Sequence, residues 1–244
     1  MLIFETVSVY IQPLIQNKLT RDILHLIFPS ACCICGSESP SNEPVCHFCK
    51  EELLYTRFEL MNEPNDLDKL FWGRARVEGT YSLLYFSKNT STQKLLHALK
   101  YQNKPETGLV LGREIGLRIK ALSIFNSIDV LIPVPIHAKK QFVRGYNQSE
   151  QLASGISQIT SIPVNKKVIK KQKETVSQTN RNRFERWDNV YDNFLVKNTI
   201  TQFRHIAIVD DVITTGATLE SLIKAIHAKC PELRISIISL ALTK

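Results

Sequence analysis

Apolar residues in this chain fall into two kinds of run. Blocks rich in β-branched residues at 130–134, 206–209 and 235–242 read as buried strands, and 77–86 reads as a strand or hairpin. Between them, apolar residues recur at helical spacing: Leu95, Leu96 and Leu99; Leu152 and Ile156; and Leu219, Leu222, Ile223 and Ile226. A further helix over about 107–122 carries Gly108, Gly112 and Gly116 at intervals of four, which permits close packing of one face. Its Arg113, Glu114, Arg118 and Lys120 exclude a membrane helix-pairing motif. Residues 9–28 show a helix-like set of Leu and Ile that Pro29 stops. Alternating strands and helices predict an α/β fold with a parallel sheet flanked by helices. Ligands of such sheets lie beyond the carboxyl ends of the strands.

One such end carries the densest chemistry. Residues 206–219 read I-A-I-V-D-D-V-I-T-T-G-A-T-L, so a short apolar strand runs into Asp210 and Asp211 and is expected to stop there. A loop with Thr214, Thr215, Gly216 and Thr218 follows, then a helix. The first turn of a helix offers unpaired N–H groups, and glycine lets backbone approach a ligand, so the loop suits a phosphate. The carboxylates suit neutral hydroxyls or a divalent cation, so a sugar bearing a phosphate fits both halves. The plainer alternative is a strand end and a helix cap. A nucleotide-binding strand of the Walker-B type would need a G-x-x-x-x-G-K-[ST] loop, which none of the nine glycines supplies.

The stretch resembles the 5-phosphoribosyl-1-pyrophosphate (PRPP) signature of type I phosphoribosyltransferases. That resemblance implies that Thr214, Thr215, Gly216, Ala217 and Thr218 hold the ribose 5-phosphate, while Asp210 and Asp211 take the 2- and 3-hydroxyls.

A second apolar block ends at Pro133, Val134 and Pro135, and a basic stretch with Lys139, Lys140, Arg144 and Gly145 follows it. It is either a second anion-binding loop or a solvated charged turn. Residues 170–183 are polar and without periodicity, as in a loop that closes on an anion or one that stays in solvent.

Near the N-terminus, Cys32, Cys33, Cys35, Cys46 and Cys49 give two C-x2-C pairs ten residues apart. Four thiolates at this spacing make a closed tetrahedral zinc site of the structural kind, against the alternative of free buried cysteines. The spacing favours Cys32, Cys35, Cys46 and Cys49 as ligands; Cys33 in place of Cys32, and His47 as a substitute, stay open. Residues 55–76, rich in turn formers, read as a linker or irregular connection between modules that Trp72 anchors. The expected organisation is a helix and zinc module at 1–54, the linker at 55–76 and the main domain at 77–244.

Composition adds little. The 244 residues are 43% hydrophobic, which excludes a disordered chain, and the net charge of +8 favours anionic partners. No apolar run approaches the roughly 18 residues of a membrane span. The start M-L-I-F-E-T lacks the basic region of a secretory signal, so a cytoplasmic protein with reduced thiols is expected.

Several motifs together narrow the resemblance: P-V-P-x-H at 133–137, R-G-Y-N-Q at 144–148, T-x-x-Q-T at 175–179 with Arg183, Arg186 and Asn189, L-K-Y at 99–101, and the cysteine module. From about Leu24 onward the chain resembles the ComF family of competence-associated, phosphoribosyltransferase-like proteins. Tyr146 departs from the Phe more usual there, and Cys230-Pro231 ends the last helix where a glycine is common. The resemblance implies that 133–144 faces pyrophosphate through Arg144 and Lys139, and that 175–189 is a flap over the site. Lys100 is either a further contact or a helix-end cation. PRPP, Mg2+ and a structural Zn2+ are the implied ligands, with transfer of the phosphoribosyl group to an acceptor that no residue identifies. The rival expectation is a non-catalytic competence protein that binds single-stranded DNA or partners of the uptake machinery.

Overall fold

A computed structural model describes residues 31–39, 43–102, 104–171 and 194–244. The expected 9–28 helix and the 175–189 flap lie outside the described residues. The chain divides into two compact units, Met1–Glu52 and Leu53–Lys244.

Within the described part of the first unit, α1 (His47–Glu51) starts directly after Cys46 and buries Cys49. In the second unit the elements are α2 (Asp66–Phe71), β1 (Gly79–Phe86), α3 (Ser91–Tyr101), α4 (Pro105–Ile119), β2 (Val130–Pro133), α5 (Ala138–Arg144) and α6 (Gln148–Thr160). They continue with β3 (Ile169–Lys171), β4 (Phe194–Val196), β5 (His205–Ile213), α7 (Ala217–Lys229) and β6 (Arg234–Thr243). β1, β6, β5 and β2 form a four-stranded sheet in that order, and every neighbouring pair is parallel. The expected parallel sheet flanked by helices is thus the observed one. β3 and β4 make a separate antiparallel pair. The two central strands are apolar because both faces are covered: Ile206, Ala207, Ile208 and Val209 of β5, and Ile237, Ile238, Leu240 and Ala241 of β6, are fully buried.

The glycines of α4 act as their spacing predicts. A Cβ on Gly112 would come within 2.2 Å of the Leu152 carbonyl oxygen on α6, and one on Gly155 within 2.2 Å of the Leu109 carbonyl oxygen on α4. The two helices therefore touch backbone to backbone, while Leu111, Ile115 and Ile119 of α4 and Leu152 and Ile156 of α6 are buried beside the crossing.

Residues 55–76 are not a linker. Residues 54–56 pair with the outer edge of β1, Thr56 N–H donating to the Leu83 carbonyl at 3.1 Å and Tyr85 N–H to the Leu54 carbonyl at 2.6 Å. Asn65 caps α2 and donates its amide to the Thr80 carbonyl at 3.3 Å. Phe58, Leu67 and Phe71 are buried and anchor the segment, whereas Trp72 is 62% exposed. The unit boundary accordingly falls at Leu53 rather than near residue 77. Among the described residues no helix is long and apolar enough to cross a membrane.

Gly155→Ala places a methyl group against a backbone that cannot yield like a side chain. The expected loss of stability is about 1–3 kcal/mol, read as a lower denaturation midpoint with unchanged denaturant dependence.

Candidate functional site

β5 runs on past the point where the sequence led us to expect its end. Asp210 pairs with Ser239, Val212 with Ala241 and Ile213 with Leu242, so the acids stand within the strand, held there by the length of β6. Each acid has its own partner from a different helix. The Ser149 hydroxyl, on the first turn of α6, donates to Asp210 Oδ1 at 3.2 Å. Lys100 Nζ, on the last turn of α3, lies 3.2 Å from Asp211 Oδ2. Burial, then the neighbouring Asp211 charge, pushes the Asp210 carboxyl up from 3.8 to about 7, and Ser149 and Lys100 offset part of this.

After β5, Thr214, Thr215, Ala217 and Thr218 are exposed and Gly216 is buried. Gly216 has φ 72, the left-handed region that favours glycine, and a Cβ there would also sit tightly against Leu70 and Phe71 of α2 at 3.2 Å. Arg74 backs the loop, donating from Nη1 to the Thr215 carbonyl at 2.8 Å and from Nη2 to Glu220 Oε2 at 2.6 Å. The loop thus rests on α2 and the turn after it, within the segment read from sequence as a linker.

β2 brings the second stretch alongside. Pro133 is in register with Val209, and Val134 N–H donates to the Val209 carbonyl at 2.9 Å, so residues 133–134 lie next to the strand position that precedes the acids. The basic segment beyond is not a loop but α5. His137 caps it by accepting from Lys139 N–H at 3.2 Å, and Gly145 at φ 77 ends it. No residue of α5 is buried, and Lys139 is exposed. Arg144 turns to Gln148, donating to Oε1 at 3.0 Å, and lies over the Tyr101 ring at 5.7 Å.

The R-G-Y-N-Q and L-K-Y motifs meet here. The Tyr146 hydroxyl, absent from a Phe, donates to the Leu99 carbonyl. Asn147 caps α6 by accepting from Ser149 N–H at 3.1 Å and donates to the Val134 carbonyl at 3.1 Å. Asp210, Asp211, Lys100 and Ser149 are therefore assembled from β5, α3 and α6, with Pro133 and Val134 adjoining. Lys139 and Arg144 stand outside that cluster of contacts. Ser149 and Arg74 escaped the sequence reading, since an isolated serine or arginine carries no pattern. Lys100 was legible only as part of the L-K-Y motif.

In the first unit, the Sγ atoms of Cys32, Cys35, Cys46 and Cys49 all lie within 4.8 Å of one another. Cys35 and Cys46 sulfurs are 3.8 Å apart, and a tetrahedron with Zn–S bonds of ~2.3 Å has edges of about 3.8 Å. Cys46 N–H and Ile34 N–H point at Cys32 Sγ at 3.4 and 3.5 Å, the amide support a thiolate ligand needs. Hydrogen bonds from Ser37 hold the Cys35 thiol down at about 6, while burial and the other thiols push Cys49 up. A dication among the four sulfurs removes that conflict, so the group fits zinc. Cys33 is not part of the group, and His47 turns instead to Glu51 at 3.3 Å.

Metal analysis of the purified protein is expected to give about one zinc per chain, lost when Cys46 and Cys49 are both replaced by Ser. For Asp210, the folded chain holds a proton that the unfolded chain releases above 3.8, so its contribution to stability falls as pH rises from 3.8 through about 7. Asp210→Asn is expected to melt above the wild type at pH 8, with the gap closing as pH falls through that window. A gap independent of pH would contradict this.

No family model matches the chain. It is similar to competence protein F of Haemophilus influenzae, 28% identical over 216 residues, which cover 85% of this chain and 88% of that one. It is also 29% identical over 128 residues to the DNA utilization protein YhgH of Escherichia coli O157:H7, covering 51% of this chain and 56%, about half, of that relative. Among solved structures, the hypoxanthine-guanine phosphoribosyltransferase of Leishmania donovani matches 62% of this chain and 67% of its own at 15% identity. Its TM-score of 0.30 is too low to carry an argument. In sequence, this chain is thus a relative of competence protein F over most of its length, as its P-V-P-x-H, R-G-Y-N-Q and cysteine motifs led us to expect.

Proposed function

We propose that this protein binds PRPP and Mg2+ and transfers the phosphoribosyl group to an acceptor with release of pyrophosphate, in a setting of DNA uptake or nucleotide metabolism. In this reading the second unit is a domain of the type I phosphoribosyltransferase kind. Asp210 and Asp211 accept the ribose hydroxyls, and Thr214, Thr215, Gly216, Ala217 and Thr218 take the 5-phosphate. Pro133, Val134, Lys139 and Arg144 line the pyrophosphate side. The observation that carries the reading is the adjacency of the two halves: β2 and β5 are parallel neighbours, and Val134 N–H, just past the end of β2, donates at 2.9 Å to the carbonyl of Val209, the residue before Asp210. A single ligand can therefore span the acids and the segment after β2.

Displacement at C1 asks the protein for positioning and charge stabilisation rather than covalent chemistry. Ionised carboxylates are pure acceptors, so above the Asp210 titration at about 7 the two acids bind a diol that donates twice. Ser149 and Lys100 fix the two carboxylates from separate helices, which lowers the cost of orienting them when the ligand arrives. Mg2+ supplies neutralisation of the leaving pyrophosphate.

A second reading is a non-catalytic competence protein that binds single-stranded DNA or a partner. The names of the two relatives favour it, as does Phe142 on α5, 91% exposed and close in sequence to exposed Lys139 and Lys140.

Titration of PRPP with Mg2+ distinguishes these readings. The wild type is expected to bind, and Asp211→Ala to weaken binding at least about tenfold, since a hydrogen bond to a charged group contributes ~1.5–3 kcal/mol. Unchanged binding in Asp210→Ala and Asp211→Ala would remove the site. Release of pyrophosphate with a nucleobase or amine acceptor supports transfer. PRPP binding without release for any acceptor, together with single-stranded DNA binding that falls steeply with salt, favours the second reading.

A further inference from the structure

Arg74 lies just beyond α2 and makes four hydrogen bonds through one guanidinium. Nη1 donates to the Leu70 carbonyl at 3.1 Å and to the Thr215 carbonyl at 2.8 Å, while Nε and Nη2 donate to Glu220 Oε2 at 3.0 and 2.6 Å. It thereby joins the end of α2, the 214–218 loop and the first turn of α7. The bond to Thr215 has the sharpest consequence. A glycine following a peptide lets the peptide plane take either of two orientations, because no Cβ opposes the flip. A trans peptide carries its C=O and N–H on opposite sides. With the Thr215 carbonyl turned to Arg74, the Gly216 N–H is turned away from the guanidinium. In the flipped state a carbonyl oxygen takes the place of that N–H, and an anion there meets an acceptor instead of a donor.

Two further sets of contacts support the same loop. Leu70 and Phe71, on the helix that leads to Arg74, fill the space behind Gly216, leaving only 3.2 Å for a Cβ. Glu220 would otherwise place an unpaired carboxylate at the amino end of α7, where the loop's phosphate is expected. Arg74 and Lys224, the latter at 2.7 Å, pair with it.

We propose that Arg74 is a positioning residue for the phosphate end of the site: by holding the Thr215 carbonyl it locks the peptide joining Thr215 to Gly216 in the orientation that offers N–H to a phosphomonoester. This rests on the reading of 214–218 as a phosphate loop. Arg74 itself touches no ligand in this scheme, and its effect is confined to one end of the substrate.

The test uses R74Q and R74K in the full chain with three readouts: melting temperature, hydrogen exchange of the Gly216 amide without ligand, and titration with ribose 5-phosphate and with magnesium pyrophosphate. R74Q is expected to speed Gly216 exchange and to weaken ribose 5-phosphate binding about tenfold, the equivalent of one good hydrogen bond, while leaving pyrophosphate binding as in the wild type. R74K keeps the charge facing Glu220 but not the planar fork, and should fall between the two. Wild-type ribose 5-phosphate affinity in R74Q overturns the positioning role and leaves the phosphate loop standing. Equal losses for both anions with a lowered melting temperature also overturn it, as that marks a merely structural residue. Failure of the wild type to bind ribose 5-phosphate at all overturns the phosphate-loop reading, and the role of Arg74 with it.

Discussion

Two carboxylates on consecutive residues repel each other, and the repulsion grows where water is partly excluded. β5 carries such a pair at Asp210 and Asp211, and the surrounding elements are placed to make the pair tolerable. Lys100 comes from the end of α3 to one acid, and Ser149 from the start of α6 to the other. Asn147 fixes where α6 begins by bonding both the Ser149 N–H and the Val134 carbonyl, and Tyr146 ties the same turn to Leu99, next to Lys100. One short chain segment, 144–149, therefore sets the position of both counter-groups. The residual strain is visible in Asp210, whose carboxyl is held up at about 7. Groups with displaced titration concentrate at working sites, because a site must hold charge where a stable core would avoid it.

The loop that follows the acids depends on a different part of the chain. Gly216 is backed by Leu70 and Phe71, and the Thr215 carbonyl by Arg74. These residues belong to the stretch that also covers the edge of β1 and is pinned by Asn65 to Thr80. The segment that closes the sheet edge is thus the segment that supports the loop, and it links the integrity of the sheet to the geometry of the site.

The sheet was readable because its strands are short, β-branched and buried on both faces, so each stands out as an apolar block. The crossing of α4 and α6 was readable on its α4 side from Gly108, Gly112 and Gly116, since only close backbone approach requires that spacing. The D-D-x-x-T-T-G run marked the candidate site for a similar reason: several residue types with one chemistry sit within a few positions. What was not readable depends on partners distant in sequence. Arg74 meets Thr215 across 141 positions, and Ser149 meets Asp210 across 61. The extension of β5 through its acids is set by the length of β6. Residues 55–76 looked like a linker because Phe58, Leu67 and Phe71 are scattered among turn formers without a period. α5 is only 7 residues long and buries nothing, so it left no apolar face to detect.

The central claim is that one ligand spans the acids and the two loops at the carboxyl ends of β2 and β5. A crystal structure determined with PRPP and Mg2+ tests it most directly. The expected result places the 5-phosphate on residues 214–218, the ribose hydroxyls at Asp210 and Asp211, and the pyrophosphate beside Pro133 and Val134. PRPP bound elsewhere on the chain, or a saturating soak that leaves these residues without ligand, would contradict it.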